Sequence, residues 1–88
     1  MISEARTLAL SITRRVLRGA FLASSLSESL DKSQLSRQDK GFVTDLCYGV
    51  LRNLRFIDLT LEPKLAKPEQ LPEDIRNSLR LGAYELLL

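Results

Sequence analysis

The sequence SRQDKGFVTDLCYGVLRNLRFID, from Ser36 to Asp58, decides the fold of this chain. Its apolar residues recur at three- and four-residue intervals, as on one face of an α-helix: Val43, Leu46, Cys47, Val50, Leu54 and Ile57. Ser36 is a good N-cap, and Asp39 in the first turn stabilises the exposed N–H groups. The pattern predicts a helix from about Arg37 to Arg52, and the rest of the chain must cover its apolar face.

The continuation of this helix past Asn53 has two interpretations. Asparagine tolerates the left-handed conformation that ends many helices. A separate helix would then run from about Leu54 to Leu65, with Ile57, Leu61 and Leu65 facing inward. The alternative is one long helix bent near Asn53, and the sequence leaves both open.

Length and composition limit the class of protein. Eighty-eight residues, 44% of them hydrophobic, allow one small folded domain. A single cysteine permits no intrachain disulfide. No apolar run approaches membrane-spanning length, and Glu4 and Arg6 interrupt the N-terminus before a signal peptide can form. We therefore expect a cytoplasmic protein without a membrane partner. The net charge of +2 permits nucleic-acid binding without requiring it.

Residues 3–21 are expected to form the first helix, with Ser3 as its N-cap. Its inward face would comprise Ala5, Leu8, Ala9, Ile12, Val16 and Ala20. The helix is also the most basic segment, with four arginines against one glutamate in residues 1–22: Arg6, Arg14, Arg15 and Arg18. Such a charge run is usually a solvated surface. The functional hypothesis is contact with phosphate, for which arginine suits better than lysine.

Two more segments complete the helical prediction. A short helix is expected to begin at Ser24 or Ser25, anchored by leucines at i, i+4 spacing: Leu22, Leu26 and Leu30. Residues 64–72 are expected to be a loop before the last helix. That helix would direct Ile75, Leu79, Ala83 and Leu86 inward and Arg76 and Arg80 outward. No strand pattern occurs, and the short loops favour antiparallel packing.

No catalytic or metal-binding set is evident. The chain has no histidine, the commonest general base. Cys47 lies on the apolar stripe and is interpreted as a core residue rather than a nucleophile. No glycine-rich loop follows a strand, so no nucleotide or S-adenosylmethionine site is predicted. Asp39, Asp45 and Asp58 are spaced too widely to suggest a metal site.

Three features of the central stretch have both a structural and a functional interpretation. Gly49 inside a helix indicates close approach of another helix. Arg52 is either an ion-pair partner or an RNA contact, with neither favoured. Tyr48 and Phe56, on the polar side with Arg52, could stack on a base. Packing of these two rings against neighbouring helices is the preferred interpretation.

Two runs of sequence resemble the NusB family. They are SRQDK with LCYGVLR, at residues 36–40 and 46–52, and LRLGAYELL at residues 79–87. The similarity is greatest to the version that begins the Sun/Fmu ribosomal RNA cytosine-5 methyltransferases. The resemblance implies that residues 1–88 form an all-α, NusB-like antiparallel bundle of about five helices. Because further helices follow this point in the family, the domain would be incomplete at its C-terminus.

The resemblance also implies a function. It predicts a non-catalytic RNA-binding domain that positions ribosomal RNA for a downstream catalytic domain, where S-adenosylmethionine would bind. NusB-type domains bind RNA partly through a basic N-terminal helix. The RNA-binding candidates are therefore Arg6, Arg14, Arg15, Arg18 and Arg52. The family's catalytic cysteine lies in a Pro-Cys motif, whereas Cys47 follows Leu46 and does not inherit that role.

Two alternatives remain open. One is a stand-alone NusB-like transcription antitermination or termination factor, which binds RNA together with a protein partner. The other is a protein-interaction module without an RNA role. Independently of these, the apolar run Leu86-Leu87-Leu88 carries no helix stop signal. We therefore expect a homo-oligomer through the surface of the last helix, or poor stability.

Overall fold

The computed structural model describes residues 3–87, which form α-helices and two 3-10 turns without a strand. The helices are α1 (Glu4–Leu17), α2 (Leu22–Lys32), α3 (Arg37–Arg52), α4 (Leu54–Leu61) and α5 (Glu73–Leu87). The turns Glu62–Lys64 and Pro68–Gln70 lie between α4 and α5. The prediction of an all-α bundle of five helices is confirmed. Within the described residues, no helix combines the length and apolar character needed to cross a membrane.

The core lies between α1 and α3, which pack closely against each other. Helix α1 also contacts α2 and α5, and α5 contacts α3 and α4. All five helices contribute buried apolar residues: Ala5, Ala9, Ile12, Leu26, Val43, Leu46, Cys47, Val50, Ile57, Leu81 and Ala83. The predicted apolar stripe of the central stretch is therefore the main wall of the core.

Helix α3 begins and ends where the sequence predicts. The Ser36 hydroxyl accepts a hydrogen bond from the Asp39 backbone N–H at 3.1 Å. At the other end, Asn53 separates α3 from α4, which decides the open question in favour of two helices. The separation does not use the left-handed conformation, since Asn53 has φ −107° and ψ 17°. Its side-chain amide instead donates to the Gly49 carbonyl at 2.8 Å.

The first helix is shorter than predicted. Ser3 caps it by accepting a hydrogen bond from the Arg6 backbone N–H at 3.2 Å. The helix ends at Leu17 because Gly19 adopts a φ of 114°, which a residue with a side chain rarely adopts. Ala20 therefore lies beyond the helix and is exposed, so its predicted inward position was wrong.

The second helix also differs from the prediction at its start. It begins at Leu22, and Ser25 is buried inside it rather than capping it. The predicted anchoring leucines do contact the core, with Leu26 buried and Leu22 and Leu30 partly buried. The apolar spacing was therefore a better guide than the serines to the position of this helix.

The predicted faces of α5 were wrong except at Ala83, which is buried as predicted, with 8% exposure. Ile75, Leu79 and Leu86 were expected inside but are 51%, 36% and 88% exposed. Arg80 was expected outside, yet its side chain is 12% exposed and donates to both carboxylate oxygens of Asp58 at 2.8 Å. A guanidinium with its partners in place can be buried, so apolar periodicity alone selects the wrong face.

Candidate nucleic-acid interface

We call the arginines of α1 and of its C-cap the basic face: Arg6, Arg14, Arg15 and Arg18. Each of them contacts a carboxylate from another helix. Arg6 forms a two-pronged pair with Glu85 of α5. Arg18 donates to both oxygens of Glu73 at 3.2 and 2.6 Å, and this contact lowers the pKa of the Glu73 carboxyl. These two pairs attach α1 to the two ends of α5.

The other two arginines of the basic face have looser contacts. Arg14 lies 3.7 Å from the carboxylate of Asp74. Arg15 lies 3.8 Å from the Glu28 carboxylate of α2 and donates to the Ser29 hydroxyl at 3.0 Å. Exposed pairs at such distances are weak. A phosphate could therefore replace the carboxylate at either arginine with little loss of stability.

A second group of exposed aromatic and basic side chains lies on α3 and α4. We call it the aromatic face: Tyr48, Arg52, Arg55 and Phe56. The rings of Tyr48 and Phe56 are 40% and 52% exposed, so the preferred prediction that neighbouring helices cover them was wrong. Within residues 3–87, no ion pair involves Arg52 or Arg55. The structure therefore shows no ion-pair partner for Arg52 in this part of the chain.

Tyr84 of α5 crosses α3 at Gly49. A Cβ atom on Gly49 would lie 2.0 Å from Cζ of Tyr84, closer than any real contact. The close approach predicted from Gly49 is therefore confirmed. Beside it, Tyr84 lines an open cleft together with Asp45, Tyr48 and Arg52. This cleft brings two aromatic rings and a guanidinium to one place on the surface.

The only cysteine lies in the core, as predicted. Cys47 is fully buried, and burial raises the pKa of its thiol to about 11. The Thr13 hydroxyl donates toward the sulfur at 3.9 Å, and the thiol donates toward the Ala9 carbonyl at 3.7 Å. Such a thiol stays protonated at neutral pH and cannot reach a substrate. Residues 3–87 contain no cluster of three acidic or cysteine side chains that could hold a metal ion.

The structure does not bring the five candidate arginines to one site. Arg6, Arg14 and Arg18 contact α5, Arg15 contacts α2, and Arg52 lies apart on α3. Sequence reasoning missed Tyr84 as a neighbour of Arg52, and it did not name the exposed Arg55 as a candidate. Gly49 indicated that a side chain from another helix packs closely against α3, but it did not identify that side chain as Tyr84.

Comparison with known proteins agrees with the fold. The model of the NusB family matches residues 3–88. The chain is 42% identical over 82 residues to ribosomal RNA small subunit methyltransferase B of Thermus thermophilus, which covers 93% of this chain and 21% of that protein. It is 38% identical over 88 residues to a probable methyltransferase of the same name from Synechocystis, covering 98% of this chain and 20% of that protein.

A second kind of relative is the transcription antitermination protein NusB of Campylobacter jejuni. It is 41% identical over 64 residues, covering 70% of this chain and 48% of that protein. No solved structure matches significantly. The chain spans about a fifth of the methyltransferases and about half of the antitermination protein that it matches. With the family model matched from residue 3 to residue 88, the chain belongs to the NusB family.

Proposed function

We propose that this chain is a non-catalytic RNA-binding domain that helps a cytoplasmic ribosomal RNA cytosine-5 methyltransferase to bind and position its RNA. The observation that carries the proposal is the similarity to small-subunit methyltransferases over 93–98% of this chain. The inaccessible thiol of Cys47 supports a non-catalytic role, because attack on cytosine needs an accessible thiolate. S-adenosylmethionine would bind to a catalytic domain outside these residues.

The basic face is the proposed contact with RNA phosphates. Its guanidiniums reach solvent, and arginine can bind a phosphate through two parallel hydrogen bonds. The carboxylates that now hold them also reduce the net charge of this surface. Binding would therefore exchange carboxylate for phosphate, most readily at Arg14 and Arg15, where the present contacts are 3.7 and 3.8 Å long.

A salt titration tests this proposal. Binding of labelled fragments of small-subunit ribosomal RNA would be followed by fluorescence anisotropy at several salt concentrations. Replacing Arg14, Arg15 and Arg18 with Gln should weaken binding and reduce the salt slope by about one unit for each lost contact. The chain alone should transfer no methyl group from S-adenosylmethionine to the RNA.

A matched control removes the same charge elsewhere. Replacing Arg37, Lys64 and Lys67 with Gln changes three cations outside both faces and should affect binding less. Equal losses in the two triple variants would indicate binding by net charge alone. Full affinity in a folded variant without Arg14, Arg15 and Arg18 would contradict the basic face as the contact. Absence of RNA binding by the unmodified chain would contradict the proposed function.

A stand-alone antitermination factor is the second candidate. It is favoured by the 41% identity to a NusB protein over 64 residues. The coding sequence after Leu88 distinguishes the two, since an S-adenosylmethionine-binding domain there would establish the methyltransferase. A protein-interaction module without an RNA role would show no salt-dependent RNA binding at all.

A further inference from the structure

We propose that the aromatic face binds single-stranded RNA by stacking bases on Tyr48 and Phe56, while Arg52 and Arg55 hold the phosphates between them. This inference rests on the proposed RNA-binding function and adds a second contact surface to it. The surface lies on α3 and α4, whereas the basic face lies on α1.

The exposure of the two rings is the first argument. Tyr48 on α3 and Phe56 on α4 are 40% and 52% exposed. Eight positions separate them, and Asn53 lies between them, where α3 ends and α4 begins. Unpaired bases stack on exposed aromatic rings, and this contact tolerates any sequence because every base has a π-face.

The charge around the rings is the second argument. Arg52 lies midway between Tyr48 and Phe56 in sequence, and Arg55 lies next to Phe56. Neither guanidinium has a carboxylate partner within residues 3–87, so binding a phosphate here breaks no existing ion pair. The combination of stacking rings and unpaired cations is what an unstructured nucleic-acid strand requires.

The cleft beside Tyr48 suggests how the RNA strand would be oriented on the aromatic face. Asp45, Tyr48, Arg52 and Tyr84 line it together. The Asp45 carboxylate repels phosphate but can accept a hydrogen bond from the amino group of a base. We therefore place a base edge at the Asp45 end and the phosphates toward Arg52 and Arg55. Bases inside a duplex are already stacked, so the surface should prefer single strands.

The test measures binding of a labelled single-stranded RNA of about twelve nucleotides by fluorescence anisotropy. Tyr48→Leu and Phe56→Leu remove a ring while keeping an apolar side chain. Each should weaken binding by about five- to a hundredfold. Neither should change the salt slope, because no charge is lost. Arg52→Gln should reduce the slope by about one unit.

Phe42→Leu is the matched control. Phe42 is also an exposed ring on α3, but the guanidinium of Arg6 covers it at 5.8 Å from the ring centre, next to the basic face. Its replacement should weaken the binding of single-stranded RNA less than Phe56→Leu does. Equal losses for Phe42→Leu and Phe56→Leu would overturn the assignment of stacking to the aromatic face.

A second measurement does not depend on variants that fold. RNA containing 4-thiouridine would be photocrosslinked to the unmodified chain and the adducts located by mass spectrometry. Adducts at Tyr48 or Phe56 support the inference, whereas adducts confined to α1 overturn it. Two further results would overturn the inference and leave the proposed function intact. One is equal affinity for duplex and single-stranded RNA, and the other is unchanged affinity in a folded variant that carries both Tyr48→Leu and Phe56→Leu. If the unmodified chain binds no RNA, the proposed function fails as well.

Discussion

The basic face and the aromatic face both present arginines to solvent, but they differ in what surrounds those arginines. Around α1, carboxylates from α2 and α5 contact each guanidinium, closely at Arg6 and Arg18 and loosely at Arg14 and Arg15. On α3 and α4, Arg52 and Arg55 have exposed rings as neighbours and no carboxylate partner within residues 3–87. The lesson is that a local excess of arginine does not measure the charge available to a ligand, because the tertiary fold supplies the counter-charges.

The largest expected effect concerns a third surface, the exposed apolar side of α5. If a second copy of the chain bound there and covered the basic or the aromatic face, RNA binding by the two faces could not be compared. Leu79 and Leu86 border an apolar groove between α4 and α5. We expect the chain to self-associate there. Since burying a leucine contributes about 1.5–3 kcal/mol, replacing both with Ser should raise the dissociation constant of the oligomer about a hundredfold or more.

Sedimentation velocity over a range of protein concentrations would measure this change. Replacing Tyr48 and Phe56 with Ser is the control, because it removes two exposed rings from the aromatic face and should leave the association unchanged. An unmodified chain that remains a single monomeric species at high concentration would show that the groove stays open in solution. The expected oligomer would then be wrong.

The next effect compares an ion pair sheltered from solvent with one on the basic face. Asp58→Ala leaves the guanidinium of Arg80, now 12% exposed, without its carboxylate. We expect a loss of about 2–3 kcal/mol of unfolding free energy. Asp74→Ala removes an exposed partner of Arg14 at 3.7 Å and should cost less than about 1 kcal/mol. Urea denaturation measures both, and equal losses would contradict the distinction between sheltered and exposed pairs.

A third prediction tests the packing of Tyr84 against Gly49, beside Tyr48 and Arg52 of the aromatic face. In Gly49→Ala the new methyl group would meet the ring of Tyr84, which must move, and we expect a loss of about 1–3 kcal/mol. Gly82→Ala is the control within a helix, because its Cβ would meet nothing within 4 Å. It should gain about 0.5–1 kcal/mol from the better helix propensity. Thermal and urea unfolding would measure both, and a Gly49→Ala variant as stable as Gly82→Ala would mean that Tyr84 does not pack there.

The sequence was sufficient where local signals agreed. For the start of α3, the Ser36 cap and the apolar stripe indicated the same bound, and the structure has it. Whether the helix ends at Asn53 was left open by the sequence and decided by the structure. It was insufficient for α5, because the burial of Arg80 depends on Asp58, 22 positions away. Apolar spacing cannot register a partner at that distance, so it placed the exposed leucines inside.

The candidate site, like the fold, was predictable only where the signal is local in sequence. Residue type identified the arginines of α1, but their carboxylates lie far along the chain: Glu73 is 55 positions from Arg18 and Glu85 is 79 from Arg6. For Tyr48, spacing correctly placed the ring away from the core. It could not show that the described chain has no second layer of helices over that side.

The smallest expected effect tests whether the arginines of the basic face form their ion pairs with carboxylates in solution. Arg18 lowers the pKa of Glu73 below its ordinary value of 4.5, so this pair stabilises the folded chain above about pH 4.5. As the pH falls through the lower, folded-state pKa, Glu73 takes up a proton and the stabilisation is lost. The melting temperature of Arg18→Gln should therefore lie slightly below that of the unmodified chain at neutral pH and meet it in acid. About 1 M salt at neutral pH should reduce the same difference in melting temperature by screening.

The control is Arg55→Gln, because Arg55 has no carboxylate partner in the described chain. This variant should show no such pH-dependent difference in melting temperature. If Arg18→Gln matched the unmodified chain at every pH, Arg18 would be as free as Arg52, and the contrast between the two faces would not hold there.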